Sequence, residues 1–580
     1  MLNHPKSRLN NLLMTSHKPT RRSSAWLDSP DLYGWLRRAA LKSEGFSKQL
    51  SENRPIIGIC NTWSELTHCN IHLRDLAESV KQGVESAGGL PLEFPVMSLG
   101  EYNMVPTAMM YRNLLSMEVE ESILANPLDG VVLLAGCDKT TPALLMGATS
   151  ANIPAILVTG GPQLKSVWRG EELGTCTDCR RYQQELRSGN ITNQDWEDLQ
   201  NVIINSPGHC GVMGTASTMA AIGEALGIAL PGNTSIPAAH PERHTLARKS
   251  GKTIIDMVNH DIYPRKILTE NSFINAIRVT HAIGGSTNAI VHLIAIAGRA
   301  GINLPLSIFD KLSKTTPLLV NLKPSGKYLM EDFHKVGGLQ AVLSQLNPIL
   351  NSNVENISGK TLDETISDVA VEKNDVIHNL NNPISTEGGL AVLHGSLAPN
   401  GAIIKQTAAS PNLLNHQGRA VVFENHEDME NRIDDPRLDV CPEDILVMRN
   451  SGPIGGPGMP EWGLIPIPKK LAKSGVKDMV RISDARISGT AFGTVVVHVT
   501  PESAIGGPIA AVQNGDLISI DVSERKLDIL VSHSEIERRL KESKYSVQTP
   551  NRGYQWLYSR HILQADKGCD FDFLRPDYEN

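Results

Sequence analysis

Short, wholly apolar runs separated by stretches of helical spacing constrain this chain more than any other feature. Pro55-Ile-Ile-Gly-Ile-Cys60 leads into a polar loop. His72 to Ala87 follows, where Leu73, Leu76, Ala77, Val80, Val84 and Ala87 recur on one helical face. Leu90 to Met97, Asp129 to Gly136 and Pro154 to Thr159 are further runs, and helical patterns return at 142–149, 214–227 and 286–300. A run that is apolar at every position suits a strand buried on both faces, as in parallel sheets covered by helices. The alternation predicts a large N-terminal layered α/β domain with a mostly parallel sheet.

From about residue 386 the texture changes to short β-type runs at 389–394, 402–406, 419–424, 444–448, 478–483 and 494–499. Leu517 to Val522 and Leu527 to Val531 alternate apolar and polar residues around Ser523-Glu-Arg-Lys526, which is a hairpin signal. This predicts a C-terminal β-rich, barrel-like domain with one late helix near 535–542. The expected division is a basic flexible tail over 1–29, the α/β domain over 30–385 and the β-rich domain over 386–580. The polar, Asn-rich stretch 350–385 reads as the connection.

Composition removes several classes. The chain has 580 residues, 41% hydrophobic and 20% charged, which is globular rather than disordered. Its 55 Lys+Arg against 62 Asp+Glu give a formal net charge of −7, which argues against a nucleic-acid partner. The longest apolar stretches are interrupted, at Glu224 and His292, before the roughly 18 residues a bilayer requires, so no membrane span is expected. Met1 to Trp26 carries Lys6, Arg8, Lys18, Arg21 and Arg22, has no acid before Asp28 and lacks an apolar signal core. That reads as a tail on a cytoplasmic protein, with a mitochondrial transit peptide as the alternative.

The cysteines are too few and too scattered for a disulfide scaffold. Cys60 closes the strand Pro55–Ile59, Cys137 follows the strand Val131–Gly136, and Cys210 precedes a helical run in Ser206-Pro-Gly-His-Cys-Gly211. Ligands of open α/β sheets bind beyond the carboxyl ends of strands, so these thiols can converge. Three thiolates suit a soft metal centre with an open position; the alternative is buried structural cysteines. Gly136-Cys-Asp-Lys-Thr-Thr-Pro142 reads as a strand-to-helix turn, with Thr141 as cap and Pro142 as first helical residue. It sets Asp138 and Lys139 beside Cys137, suggesting a hard and a soft metal in one pocket, or else only a helix-start acid.

Asn450-Ser-Gly-Pro-Ile-Gly-Gly-Pro-Gly-Met-Pro-Glu-Trp-Gly463 is not a phosphate cradle, because Pro453, Pro457 and Pro460 remove the amide donors one needs. It is a constrained turn able to hold Glu461. Arg481-Ile-Ser-Asp-Ala-Arg-Ile-Ser-Gly-Thr490 presents Ser488 between two strands, as nucleophile, base or plain Ser-Gly turn. Cys176-Thr-Asp-Cys179 has half a zinc spacing with no second pair and reads as incidental. His240-Pro-Glu-Arg-His244 misplaces the acid for a zinc-protease helix.

Six segments together resemble the dihydroxy-acid and sugar-acid dehydratase family, in the right order from about residue 30 to 575. They are Cys60-Asn-Thr-Trp-Ser-Glu-Leu-Thr-His-Cys-Asn70, Gly136-Cys-Asp-Lys-Thr-Thr-Pro-Ala143, Gly211-Val-Met-Gly-Thr-Ala-Ser-Thr-Met219, Gly284-Gly-Ser-Thr-Asn288, Gly455-Gly-Pro-Gly-Met-Pro-Glu461 and Ser488-Gly-Thr-Ala-Phe-Gly493. Asn61-Thr-Trp-Ser-Glu65 and Met459-Pro-Glu-Trp-Gly463 look like the pentonate and hexonate branch, which includes L-arabinonate and D-xylonate dehydratases, more than the dihydroxyisovalerate branch. The resemblance implies a hydro-lyase that turns a 2,3-dihydroxy sugar acid into its 2-keto-3-deoxy acid. It implies Cys60, Cys137 and Cys210 as ligands of a [2Fe–2S] cluster, with [4Fe–4S] as the alternative. It further implies Glu93, Asp138 and Glu461 as Mg²⁺ ligands, a carbamylated Lys139 as another, and Ser488 as the base. Trp63, Trp462 and Thr490 are candidates for substrate contact, and a homodimer or homotetramer is expected. Departures are the Cys176–Cys179 pair, His68 in place of a common Pro, and His209 in place of a smaller residue.

Overall fold

A computed structural model describes residues 21–542 and 550–576, so the basic stretch 1–20 lies outside the described residues. Four apolar runs form a parallel sheet of β1 (Ile56–Asn61), β2 (Leu90–Pro95), β3 (Gly130–Ala135) and β4 (Ala155–Thr159), in the order β2-β1-β3-β4. β1, β3 and β4 are buried at every position, as a sheet covered on both faces requires, while edge strand β2 is partly exposed. Each crossover carries a helix: Leu73–Ser86, Arg112–Leu124 and Thr140–Ala151. A short ribbon, β5 (Ser166–Trp168) and β6 (Glu171–Leu173), follows, and the long helices come next, including Thr215–Ala225, Pro241–Asn259 and Asn288–Arg299.

The C-terminal region is an eight-stranded sheet. Its strands are β7 (Ala391–Leu393), β8 (Gly401–Ile404), β9 (Asn415–Phe423), β10 (Ile445–Met448), β11 (Arg481–Ser483), β12 (Val495–Thr500), β13 (Leu517–Asp521) and β14 (Lys526–Ile529), in the order β14-β13-β9-β10-β11-β12-β8-β7. The predicted hairpin is β13–β14. A bridge from His394, next to β7, to Lys526 at the start of β14 nearly closes the sheet into a barrel. The strands from β9 through β12 run parallel, so their connections are long, and two of those connections carry functional candidates. The late helix is His533–Glu542.

Three features add to the sequence expectations. Arg22–Leu27, inside the stretch expected to be a flexible tail, is a helix. It is tied down by Ser23, whose amide and hydroxyl donate to Asp129 at 2.9 and 2.6 Å. The connecting stretch 350–385 is docked: Ile357, Leu362, Ile366 and Ile377 are buried in the α/β core. The segment after the barrel helix returns to the N-terminal region. There Arg299 holds Asp570 at 2.7 and 3.0 Å, and the Tyr554 hydroxyl donates to the Met110 carbonyl at 2.6 Å.

Candidate active site

A cavity of about 290 Å³ lies between the carboxyl end of the parallel sheet and two barrel loops. Its lining includes Cys69, Glu101, Tyr102, Cys137, Asp138, Cys176, Arg180, His209, Cys210, Glu461, Trp462, Ser488 and Thr490. Cys137, Cys210, Asp138, Glu461 and Ser488 thus meet as the sequence suggests, although they come from distant segments.

Cys60 and Glu93 do not join them. Cys60 is the penultimate residue of β1 and faces the hydrophobic core, where burial, with Glu118 adding to it, pushes its thiol far up. It is not among the residues that line the cavity. The thiol that reaches the cavity is Cys69, nine residues on, in the short helix His68–Asn70. Asn70 anchors that helix by donating to the Thr62 carbonyl at 3.0 Å and to Ser98 Oγ at 2.8 Å. Gly136 lets it approach: a Cβ there would meet Asn70 Oδ1 at 2.3 Å and the Cys69 carbonyl at 2.5 Å. Glu93 stays on β2, accepting from Asn61 Nδ2 at 2.8 Å and pairing with Lys81 at 2.6 Å. The carboxylate that lines the cavity instead is Glu101, in the loop beyond β2. The signal for both was present in the sequence. Cys69-Asn70 closes the first family-like segment, and Glu101 lies past the strand end rather than within it.

The hard donors form a compact set. Glu101, Asp138 and Glu461 each offer an oxygen within 4.8 Å of the others. Arg486, fully buried, donates to Glu461 Oε1 at 2.7 Å, Glu101 Oε1 at 3.0 Å and Thr107 Oγ1 at 2.6 Å. Lys139 is also fully buried, with its ammonium on Asp138 and 4.0 Å from Glu101 Oε2. Burial opposes charge on Asp138, but Lys139 and Arg486 outweigh it and hold the carboxyl below its usual range. At Glu461 burial wins and raises the carboxyl, against the pull of Arg486. Glu101 Oε2 is buried without a hydrogen-bond partner. Clustered carboxylates with an unsatisfied oxygen fit a hard divalent cation. The helix after Lys139 begins at Thr140 rather than Pro142, and Pro142 is tolerated in its first turn because that amide is unpaired anyway.

The soft donors lie on the same cavity. The Cys69 thiol is raised well above the usual range by its hydrogen bond to Cys137 and by burial. Cys210 is raised by its hydrogen bond to Cys176, at 3.1 Å between sulfurs, and by burial. Cys176, expected to be incidental, is therefore a cavity residue. The bond from Cys210 and that from the Tyr102 hydroxyl, at 2.8 Å, lower its thiol despite burial. Cys179 is not on the cavity, and burial pushes its thiol up to about 12. His209 lies beside Cys210 with its Nε2 buried and unpartnered; burial lowers it to about 3.

Two model descriptions span most of the chain. The dihydroxy-acid/6-phosphogluconate dehydratase N-terminal model matches residues 54–365, and the C-terminal model of the same name matches 375–569. The chain belongs to the dihydroxy-acid/6-phosphogluconate dehydratase family. Among its relatives, an L-arabinonate dehydratase of Rhizobium leguminosarum is 48% identical, over 96% of each chain. A 6-deoxy-6-sulfo-D-gluconate dehydratase of Pseudomonas putida is 46% identical, also over 96% of each. A dihydroxy-acid dehydratase of Thermodesulfovibrio yellowstonii is 38% identical, over 92% of this chain and 97% of its own. As a member of this dehydratase family, the protein is a hydro-lyase.

The dehydratase barrel supplies the remaining side chains. Ser488 and Thr490 occupy the β11–β12 loop with hydroxyl oxygens 2.9 Å apart. Gly489 between them is pressed onto the α/β region, where a Cβ would meet the Thr215 amide and Ser286 Oγ at 2.6 Å. Trp462 lines the cavity and stacks on His426 at 4.5 Å. Trp63 is not on the cavity: its indole donates to the Ile71 carbonyl at 2.9 Å and its ring carries Arg74 at 3.6 Å. Tyr102, Arg180 and Arg486 went unassigned in the sequence reading, because nothing in their local pattern marks a cavity. No helix among the described residues is long and apolar enough to cross a membrane.

Proposed function

We propose that this hydro-lyase acts on a sugar acid, removing the C2 proton and C3 hydroxyl of a 2,3-dihydroxy acid to leave the 2-keto-3-deoxy acid. The observation that carries this reading is one cavity lined by four cysteines from separate chain segments, three clustered carboxylates and a hydroxyl pair. Cys69, Cys137 and Cys210 would hold an iron–sulfur cluster of the [2Fe–2S] type, and Glu101, Asp138 and Glu461, joined by a carbamylated Lys139, would hold Mg²⁺. Bound there, the two centres supply Lewis acidity toward the substrate's oxygens. The donor sets fit: thiols for iron, carboxylates with an unpaired buried oxygen for Mg²⁺.

Ser488 is the side chain we assign to the C2 proton. Thr490, 2.9 Å away, can donate to the Ser488 oxygen and so favour its deprotonated form. Arg486 fixes Glu101 and Glu461 and offsets their mutual repulsion. Trp462 supplies an apolar wall that limits water beside the reacting carbons. The relatives at 46–48% identity reported above are named for sugar acids, whereas at 38% dihydroxy-acid dehydratases stand beside a D-xylonate dehydratase, which favours an aldonate over dihydroxyisovalerate. The protein is expected to work as a homodimer or homotetramer. The test is a panel of five- and six-carbon aldonates, with dihydroxyisovalerate alongside, assayed for 2-keto-3-deoxy product with iron- and Mg²⁺-loaded enzyme. A higher kcat/KM for dihydroxyisovalerate would reverse the assignment.

A further inference from the structure

The motif His240-Pro-Glu-Arg-His244 lacks the spacing of a zinc-protease helix, but the fold gives two of its residues a third partner. His240 caps the helix Pro241–Asn259 and Glu242 stands in its first turn, while His334 comes from the short helix Met330–Lys335. One donor atom of each lies within 4.8 Å of those of the other two. Glu242 Oε2 is 3.6 Å from His334 Nε2 and 4.0 Å from His240 Nδ1, and the two rings meet edge to face with centroids 5.5 Å apart. Among the described residues, the Glu242 carboxylate has no Lys or Arg partner, and neither it nor the His334 ring makes a hydrogen bond. His244 is engaged elsewhere, with its Nδ1 2.9 Å from Ser79 Oγ. None of the three lines the active-site cavity.

We propose that His240, Glu242 and His334 form a second metal site, for a divalent transition ion of the zinc type. Two imidazoles and one carboxylate are donors that such an ion takes at about 2.0–2.1 Å, which sets tetrahedral ligands about 3.3 Å apart. The 3.6 and 4.0 Å separations are close to this, and the remaining contraction falls on side chains that are partly exposed and free to move. Mg²⁺ takes oxygen donors and would not use the imidazoles. A helix N-terminus alone repels a cation, and the Glu242 carboxylate supplies the charge that offsets it. The contact an ion at His240 Nδ1 would displace is a long one, 3.4 Å from the Glu242 amide. The ion would cross-link two elements that flank the Cys210 segment. Just before His240, the Ala238 amide donates to the Pro162 carbonyl at 2.9 Å, and Pro162 bridges His209; from the other side, the Met330 amide donates to the Gly211 carbonyl at 2.9 Å. The site is a clamp, outside the cavity, on the loop that presents one of the cavity thiols.

The test uses full-length enzyme already loaded with iron, sulfide and Mg²⁺, so that the cavity donors are taken, and Zn²⁺ as the probe. Zinc and iron per chain after equilibrium dialysis, Zn²⁺ affinity by calorimetry and the thermal unfolding midpoint are read. Wild type is expected to bind one Zn²⁺ beyond the cavity metals and to unfold at a higher temperature with it. His334→Ala and Glu242→Gln should each weaken that binding by at least about 100-fold, the upper end of what losing a mere orienting partner costs, and should cancel the thermal shift. Glu242 is exposed, so Glu242→Gln decides the matter if His334→Ala fails to fold. His244→Ala, one helical turn on, should keep both the affinity and the shift. Turnover of His334→Ala without zinc should equal that of wild type, because the residue is not on the cavity. Equal zinc content and affinity in wild type and the two site variants would overturn the proposal. So would a wild type that takes up no zinc beyond the cavity metals.

Discussion

In the parallel sheet the strands are buried almost throughout, and the cavity residues begin past their ends: Cys69 after β1, Glu101 after β2, Cys137 and Asp138 after β3. In the barrel, Glu461 and Ser488 sit on the long connections that parallel strands β10, β11 and β12 require. The first region gives thiols and two carboxylates from tight turns held by buried amides and glycine. The second gives one carboxylate, the hydroxyl pair and the arginine that orders the carboxylates. Neither region completes the donor set, so the cavity depends on their packing, and Arg486, which bonds both Glu101 and Glu461, is the physical join.

The sharpest way to break this division is at the hydroxyl pair. Ser488→Ala should lower turnover by about 10²–10⁴-fold, the usual contribution of a general base, while iron and Mg²⁺ contents stay unchanged. Near-native turnover would take proton transfer out of the barrel. The join comes next. Arg486→Lys keeps a charge but loses the forked geometry, and Mg²⁺ affinity by calorimetry should fall about 10–100-fold, as for other residues that orient metal ligands. Unchanged affinity would mean that the two regions meet without Arg486. The loop holding Glu461 is fastened by Glu502, which accepts from the Ile454 and Gly455 amides at 2.9 and 2.8 Å and from Gln564 at 2.7 Å. Glu502→Ala should cost about 1–3 kcal/mol in urea unfolding by leaving those donors unsatisfied. The smallest effect is expected at Cys176→Ser, which should leave iron stoichiometry unchanged although the sulfur lies 3.1 Å from Cys210.

Much of the architecture was legible because periodicity reports burial. The all-apolar runs became buried strands, and the alternating pair at 517–531 became the β13–β14 hairpin. The site was legible where a residue lies on the turn just after a strand, as at Cys137 and Asp138, or in a Pro- and Gly-constrained loop, as at Glu461. It was not legible where a loop intervenes. Cys60 looks ideal by position, yet it still lies within β1, where every residue is buried, and the thiol that lines the cavity lies beyond an eight-residue excursion held by Asn70 and Gly136. Arg180 was not legible, because helix orientation relative to the cavity is set by tertiary packing.

The central claim is that the soft-donor set is Cys69, Cys137 and Cys210. It is tested most directly by reconstituting Cys60→Ser and Cys69→Ser in parallel and measuring iron, sulfide and visible absorbance per chain. Cys60→Ser should retain the wild-type iron and sulfide content, with at most a loss of stability from its core position, and Cys69→Ser should lose the cluster and its absorbance. Full iron in Cys69→Ser, with loss in a folded Cys60→Ser, would contradict the account.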